Sequence, residues 1–336
     1  MRHYLGLDVG GTKTFCLIGD AQGNIKGFGR GGTGNWENYG VEPALFENRK
    51  AVEEALRTAG LELKDINGIG MGVAGADLPD DYVMLEREVY TPLFGDVPRA
   101  FRNDSMAGLR GGTREPFGIV IAAGTDCVCA GRNRKGVETR AAGFGEDFGN
   151  KCSGTIIGNE GLKAVWRARE GIAPATKMTE LFLARAQCKD VEEFFVKAYR
   201  GNISLETLQP MATVVFDAAL AGDAAACDIL EAGGRYLGET VNAVARTLQM
   251  QSEPYEVVMA GSVFKGSSPV LIDSLRTVVH RESPRATLVM PAFEPVVGAL
   301  LMGMELDVEI SEAVYQNLSE QLFQAEQRYG VKFKAE

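Results

Sequence analysis

The chain has 336 residues, of which 45% are hydrophobic and 24% are charged, and this length suits two domains of moderate size better than a single core. A formal net charge of −10 argues against a nucleic-acid partner, because binding to a phosphate backbone requires a basic face. No apolar run approaches the roughly 18 residues of a membrane span, and the six cysteines form no CxxC pair, so we expect a cytoplasmic protein with reduced thiols and no membrane partner.

The first third of the chain alternates short apolar runs with glycine-rich turns. Apolar runs predict strands, the third of which follows a hairpin turn at 20–24. A glycine-rich stretch from Gly29 to Gly34 predicts a loop. Apolar residues at helical spacing predict a helix over 42–58, which Gly60 ends. The other predicted elements here are strands at 4–9, 14–18, 66–73 and 98–102 and a short helix at 105–109.

The opening pattern then recurs. A predicted strand at 117–123 is broken by Gly124-Thr125-Asp126, and a return strand follows at 127–130. Shifting the sequence by 113 positions lays Gly11-Thr12 on Gly124-Thr125 and Gly23 on Gly136. A strand at 256–260 followed by Gly261-Ser262 likewise repeats the strand at 66–73 followed by Ala74-Gly75. Two repeated features in the same order favour duplicated halves. Helices are predicted over 153–169, most of 179–247, and 311–329.

Gly10-Gly11-Thr12-Lys13, between the first two strands, is a candidate phosphate-binding loop. Paired glycines let the backbone approach phosphate oxygens, with N–H groups and the Thr12 hydroxyl as donors. Asp8, just before the loop, is placed to hold Mg²⁺ through water. Taken alone, the motif is equally typical of an ordinary glycine hairpin, but its repetition at Gly124-Thr125 favours phosphate binding in both halves. The GxxxxGK[ST] spacing of a P-loop is absent.

Two further positions offer chemistry for an acceptor. Asp104 follows a predicted strand, where a carboxylate can orient an acceptor hydroxyl and take its proton during phosphoryl transfer. Its position before a helix by itself favours a helix cap, and both roles are compatible. Asn35 and Trp36 either bind sugar hydroxyls and a ring face or form a surface turn with Asn in the left-handed conformation.

In this order, the motifs resemble the sugar kinase, heat-shock chaperone and actin superfamily, and within it the N-acetylglucosamine kinases and BadF/BadG/BcrA/BcrD-type ATPases. The matching segments are 8–14, 31–35, 70–75, 103–104, 123–125, 143–145 and 260–264. The resemblance implies an α/β fold of two duplicated ribonuclease-H-like (actin-like ATPase) domains with a cleft between them that binds ATP. We predict domains at 1–115 and 116–310, and a C-terminal helix in 311–336 that packs back on the first domain.

The resemblance also implies roles for single residues. It makes Asp104 the catalytic base, in preference to a cap alone. The implied nucleotide-binding residues are Gly10, Gly11, Thr12, Lys13, Gly124, Thr125, Gly261 and Ser262, with Asp8 for Mg²⁺. The implied sugar-facing residues are Asn35, Gly75, Asn103, Asp104, Gly143, Phe144 and Asn150.

Two segments depart from the family pattern. Where the family usually continues with Gly-Ser after Gly-Thr, this chain has Asp126-Cys127, and a carboxylate there repels phosphates unless it faces away or binds the metal. Where the family usually has Asp-Glu-Gly in its sugar-facing segment, this chain has Asn150-Lys151-Cys152 and so lacks a carboxylate for sugar hydroxyls. The acceptor can therefore differ from that of the family.

The sequence thus predicts a Mg-ATP-dependent kinase of a small amino or N-acetylated hexose, acting as a homodimer. One alternative is an ATPase activator of a radical reductase or dehydratase, with Cys127 and Cys152 as candidate iron–sulfur ligands. Another is a sugar-binding relative with weakened catalysis, suggested by Asn150 and Lys151. A sugar-sensing regulator is disfavoured, because we expect no DNA-binding extension before Tyr4.

Overall fold

A computed structural model describes residues 2–203 and 211–335. Contacts divide the chain into two compact units, each with its own five-stranded sheet. The first unit contains Met1–Val120 and Met290–Glu336, and the second contains Ile121–Val289. None of the helices in the described parts of the chain is both long enough and apolar enough to cross a membrane.

The described residues form ten strands and thirteen α-helices, numbered here in chain order. The strands are β1 (His3–Val9), β2 (Thr14–Asp20), β3 (Ile25–Gly31), β4 (Ile66–Val73), β5 (Arg99–Asn103), β6 (Gly118–Ala123), β7 (Cys127–Arg132), β8 (Glu138–Ala142), β9 (Tyr255–Ala260) and β10 (Ala286–Val289). The helices are α1 (Trp36–Tyr39), α2 (Val41–Ala59), α3 (Pro79–Leu85), α4 (Thr91–Phe94), α5 (Asp104–Gly112), α6 (Gly154–Arg169), α7 (Met178–Ala186), α8 (Val191–Tyr199), α9 (Met211–Leu220), α10 (Ala224–Leu248), α11 (Val270–Glu282), α12 (Pro295–Met304) and α13 (Glu312–Tyr329).

The first sheet has the order β3-β2-β1-β4-β5 and is covered on both faces. Successive side chains of a strand point to opposite faces, so β1 serves two cores. Leu5, Leu7 and Val9 lie in a buried cluster with residues of α2, whereas Tyr4 lies in another with residues of α12 and α13. Helix α13 therefore belongs to the first unit.

Glycines let helices approach this sheet closely. A Cβ on Gly70 would lie 1.9 Å from the Ala299 carbonyl oxygen, and one on Gly6 would lie 2.3 Å from the Leu300 nitrogen, so both strands need glycine where α12 crosses them. The loop predicted from Gly29 to Gly34 is partly wrong, because Gly29–Gly31 belong to strand β3. The glycines of β3 face α2, and a Cβ on Gly29 would lie 2.0 Å from the Ala51 carbonyl oxygen.

The second sheet repeats the first. Its order, β10-β9-β6-β7-β8, is that of the first sheet with β6 in the place of β1. The hairpin turns after β2 and β7 also share their hydrogen bonds. Asp20 Oδ1 accepts from the N–H groups of Gln22 and Asn24, and Asn133 Oδ1 accepts from those of Lys135 and Val137, all at 3.0 Å. The predicted duplication is thus present in the turns as well as in the sheets.

Some elements lie where the sequence pattern did not place them. Helix α12 packs on β1 and β4 and so groups with the first unit, whereas the predicted boundary at 310 assigned it to the second domain. The predicted helical stretch at 179–247 contains four helices in its described part, and 204–210 lie outside the described residues. The elements α3, β8, α11, β10 and α12 had no prediction.

Candidate active site

The end of β1 meets the ends of β4 and β5 at one edge of the first sheet. β4 runs parallel to both neighbours, and the register aligns Val9 with Val73 and Val73 with Asn103. The next residues are Gly10, Ala74 and Asp104. Because adjacent strands lie about 4.8 Å apart, the backbones of β1 and β5 are separated by about 10 Å at this edge. The candidate phosphate loop and the candidate base therefore follow neighbouring strand ends.

Residues Gly10–Lys13, hereafter the first glycine loop, are held from outside by polar side chains. The Gly10 N–H donates to the Lys13 carbonyl (2.9 Å), which closes the loop. Asn38 Nδ2 donates to the Gly11 carbonyl (2.8 Å) and to Thr33 Oγ1 (2.9 Å). A Cβ on Gly11 would have Asn38 Nδ2 as its nearest neighbour, at 3.9 Å, so the loop is open above Gly11. A ligand can thus reach this backbone.

The carboxylate of Asp8, two residues before this loop, lies in a negative environment. Burial and, to a lesser extent, the negative charges of Asp104 and Glu294 together raise the pKa of Asp8 to about 7, although Lys13 lowers it. Asp8 is half-buried. A divalent cation near Asp8 would relieve this repulsion, so the Asp8 carboxylate by itself suits Mg²⁺.

The capping role suggested for Asp104 belongs to its neighbour. Asn103 is the N-cap of α5, and its Oδ1 accepts from the Ser105 N–H at 3.1 Å. Asp104 is the first residue of the helix and is half-buried. Asn103 Nδ2 also donates to Asp77 Oδ1 (3.0 Å), so Asn103 is fixed on both sides. The Asp104 carboxylate is therefore not required as the cap.

Asn35 and Gly75, both predicted to face the acceptor, lie together. A Cβ on Gly75, whose φ is +80°, would lie 2.3 Å from Asn35 Oδ1. Trp36 Nε1 donates to the Gly75 carbonyl at 2.8 Å. Asn35 caps α1 through a 3.0 Å bond from the Glu37 N–H and has extended backbone (φ −74°), which corrects the left-handed turn considered from the sequence. Local contacts thus already occupy the Asn35 oxygen and the Trp36 N–H.

In the second unit, Gly124–Asp126 form the second glycine loop, one residue shorter than the first. The Gly124 N–H donates to the Asp126 carbonyl at 2.8 Å. The start of α6 lies against the loop, because the Gly154 N–H donates to the Gly124 carbonyl (2.7 Å) and Thr155 Oγ1 to the Thr125 carbonyl (3.2 Å). This loop is therefore held by a helix N-terminus.

The structure brings the predicted nucleotide-binding residues of the second unit together. Gly261, with φ +98°, follows β9, and a Cβ there would lie 2.3 Å from the Ala123 carbonyl oxygen at the end of β6. A Cβ on Gly124 would have Ser262 Oγ, at 4.0 Å, as its nearest neighbour. Gly261-Ser262 therefore borders the second glycine loop.

Gly143 and Phe144 lie just beyond β8. Phe144 is exposed, with the Arg140 guanidinium 4.8 Å from its ring centroid and the Phe148 ring at 6.3 Å. Further along this loop, α6 and α10 border a groove of about 570 Å³. Its polar lining consists of Glu146, Asn150, Lys151, Glu160 and Asp228.

Sequence reasoning missed several residues of these sites. Thr33 and Asn38 support the first glycine loop, and the repeated Asn in the segment Gly34-Asn35-Trp36-Glu37-Asn38 is the only local signal for them. Glu294 comes from the far end of the chain. Its signal is a carboxylate directly before Pro295 at the start of an apolar helix.

The two duplicated five-stranded sheets form an α/β fold that this chain shares with the duplicated actin-like ATPase domains of sugar kinases. The model of the BadF/BadG/BcrA/BcrD ATPase family matches residues 5–303, and the chain belongs to this family. Membership in an ATPase family implies that the chain uses ATP.

Curated relatives match over nearly their full length. The chain is 26% identical over 311 residues to N-acetyl-D-glucosamine kinase of Dictyostelium discoideum, covering 90% of this chain and 97% of that protein. It is also 26% identical over 303 residues to the N-acetylmuramic acid/N-acetylglucosamine kinase of Clostridium acetobutylicum, covering 90% and 98%. Among solved structures, a ROK family glucokinase from Streptomyces griseus, in complex with glucose and AMPPNP, shares the fold (TM-score 0.53, 18% identity, 90% of this chain and 99% of that chain).

Proposed function

We propose that the protein transfers the terminal phosphoryl group of Mg-ATP to a hydroxyl of a small amino or N-acetylated hexose. The observation that carries the proposal is the grouping of Asp8, Asp104 and an open glycine loop at one sheet edge. The similarity to N-acetylglucosamine kinases over nearly the whole chain supports the choice of acceptor.

The two glycine loops would bind the phosphates of ATP. Gly11 and Thr12 are exposed and offer backbone N–H groups, and Thr12 adds a hydroxyl. Lys13 lies over the Phe15 ring at 4.5 Å, which keeps a positive charge beside the loop. In the second unit, Gly124 and Thr125 would bind phosphate, and Gly261-Ser262 would contact the adenosine.

Mg²⁺ would be held by Asp8, directly or through water. When bound, the ion would neutralise negative charge on the phosphates. Asp8 itself sits where burial and neighbouring carboxylates disfavour its ionised form, as its raised pKa indicates. A bound cation would favour the charged form of Asp8.

Asp104 would orient the acceptor hydroxyl and take its proton. Its place at the first turn of α5 is fixed by the Asn103 cap. Backbone N–H groups at a helix N-terminus favour an ionised carboxylate, the form that a base requires. The exposed Phe144 ring and the groove beside it offer an apolar surface and polar groups to a sugar.

The iron–sulfur alternative is disfavoured by the cysteines. Cys127 is 1% exposed and Cys152 is fully buried. Burial raises the pKa of Cys127 to about 11 and that of Cys152 to about 12, so this environment disfavours the thiolate form that a cluster ligand takes. Neither sulfur is presented at the surface to bridge two subunits.

A panel of hexoses tests the proposal, with phosphate transfer from Mg-ATP as the measurement. We expect turnover with N-acetylglucosamine or glucosamine well above the background hydrolysis of ATP. Binding of both sugar and Mg-ATP without phosphorylation would instead identify a sugar-binding relative with weakened catalysis. Sugar-independent ATP hydrolysis with no sugar binding would remove the kinase assignment.

A further inference from the structure

A carboxylate belongs to the second glycine loop, and the structure shows what it does there. Asp126 is exposed, and one of its oxygens, Oδ1, takes two hydrogen bonds from the interior. The Cys127 N–H donates to it at 2.8 Å and Asn150 Nδ2 at 2.6 Å. The carboxylate is thus tied to the body of the unit on one side.

Asn150 is the other half of this contact. Its side chain is buried, with only 2% of the residue exposed. Nδ2 also donates to the Cys127 carbonyl (3.2 Å), and Oδ1 accepts from the Tyr236 hydroxyl (3.3 Å). Both Nδ2 hydrogens therefore bond to the second glycine loop and the residue after it, and Oδ1 already accepts one bond from α10. Asn150 lines the groove, but its amide is not free for a ligand.

We propose that Asn150 and Asp126 form a positioning pair that sets the second glycine loop for the phosphates of ATP. The inference rests on the nucleotide role proposed above for this loop. The Asn150 amide bonds to the Asp126 carboxylate and so holds Asp126 in place. The backbone carbonyl of Asp126 accepts from the Gly124 N–H, and this bond closes the loop. Asn150 therefore acts on nucleotide binding through Asp126, not by contact with a sugar.

The direction in which Asp126→Ala changes the Kd for Mg-ATP shows whether Asp126 positions the loop or only adds a negative charge. If Asp126 acts only as a negative charge beside the phosphates, Asp126→Ala removes a repulsion and tightens Mg-ATP binding. If it anchors the loop, the same change weakens binding. We expect the Kd for Mg-ATP, measured by calorimetry, to rise about fivefold, which corresponds to one net hydrogen bond. Tighter binding in this variant would overturn the proposal.

A reciprocal exchange tests the partnership. Asn150→Asp places two carboxylates in contact, and we expect the Kd for Mg-ATP to rise about tenfold or more. Exchanging both residues, Asp126→Asn with Asn150→Asp, restores one donor and one acceptor and should recover most of the lost affinity. A purely structural role for Asn150 gives no such recovery.

Asn133→Asp is the matched control, because it makes the same amide-to-carboxylate change in the second unit. Asp20 occupies the corresponding turn position after β2, so the turn accepts a carboxylate, and Mg-ATP affinity should be unchanged. Far-UV circular dichroism and the melting temperature check that each variant folds. If Asn150→Asp does not fold, Asp126→Ala, at an exposed position, still tests the proposal, because a lower Kd for Mg-ATP would overturn it.

The outcomes also separate this inference from the proposed function. A chain that binds Mg-ATP but phosphorylates no sugar overturns the kinase assignment and leaves the pair intact. A chain that binds no Mg-ATP overturns both. A double exchange that binds no better than Asn150→Asp overturns the pair alone.

Discussion

The two glycine loops occupy the same place in two copies of one sheet, yet they are held in different ways. The first has four residues, and Asn38 and Thr33 support its carbonyl side from a neighbouring segment. The second has three residues and is supported by the first turn of α6 and by the Asn150–Asp126 contact. Asp8, before the first loop, is influenced by the carboxylates of Asp104 and Glu294, whereas the carboxylate of the second loop, Asp126, is bonded to an amide.

This difference indicates a division of labour within a duplicated scaffold. Glycines at the strand ends are shared, because both copies need close backbone approach. The groups around them are not shared. The carboxylates of the first copy suit metal binding and proton transfer, whereas the helix N-terminus of the second suits an anion.

The largest effect on activity should come from changing Asp104, the proposed base in the first unit. Asp104→Asn should cut kcat by about 10²-fold or more, the usual scale for losing a general base, and leave the Kd for Mg-ATP nearly unchanged. Steady-state kinetics and calorimetry measure the two. Asp80→Asn, the same change in the exposed first turn of α3, is the control. Unchanged kinetics in Asp104→Asn would reduce Asp104 to a structural residue.

Valine in the glycine loops tests whether both copies bind phosphate. A Cβ at Gly11 or Gly124 would have its nearest neighbour at 3.9 Å or 4.0 Å, so Gly11→Val and Gly124→Val should fold while the side chains obstruct a phosphate. We expect each to weaken Mg-ATP binding about tenfold or more and to remove most of the melting-temperature increase that the ligand gives. A normal increase in one variant only would restrict phosphate binding to the other loop.

Loosening the support of the first loop should have a smaller effect. Asn38→Ala removes the bonds to the Gly11 carbonyl and to Thr33 and leaves the loop's own backbone N–H groups in place. The Kd for Mg-ATP should rise about fivefold, the equivalent of one net hydrogen bond, with kcat changed less. A large fall in kcat at constant Kd would instead place Asn38 among the groups that touch the acceptor.

The hairpin turns sharpen the comparison at the level of stability. Burial favours the protonated form of Asp20, but hydrogen bonds from Asn24 and Lys26 and from backbone N–H groups outweigh it and hold the pKa below its usual value. Asp20→Asn should therefore lower the free energy of unfolding by about 1 kcal/mol at pH 7.

The pH dependence of that loss has a definite sign. A lowered pKa in the folded state contributes stability above the unfolded value of about 4, and this contribution disappears as the pH falls through the folded value. Urea denaturation at pH 7 and pH 2.5 should show a larger difference between wild type and Asp20→Asn at the higher pH. A constant difference would mean that the charge is not involved.

Local patterns predicted much of the fold. The strand at 66–73 matches β4, and the helix at 311–329 differs from α13 by one residue, because both have a clear period and clear ends. The segment from Val270 to Met304 was not predicted. It contains a helix that is apolar on all sides, α12, and such a segment has no period to detect.

The candidate site divides in the same way. Glycine loops and strand-end carboxylates have sequence signals, and the family resemblance sharpened the choice of Asp104. Asn150 was predicted to face the sugar, because its segment resembles the sugar-facing segment of the family. Only the fold reveals that Asp126 and Tyr236, from distant segments, occupy its amide. Partners that meet through tertiary packing leave no local pattern.

The first unit is assembled from both ends of the chain, with α12 lying in the glycine-lined surface of β1 and β4. During synthesis on the ribosome, β1 to β5 emerge long before the helix that covers one of their faces. The second unit is continuous and has all its elements by Val289. The second unit should therefore reach its final form first, and the half that carries Asp8 and Asp104 should be completed only when the last-made segment arrives.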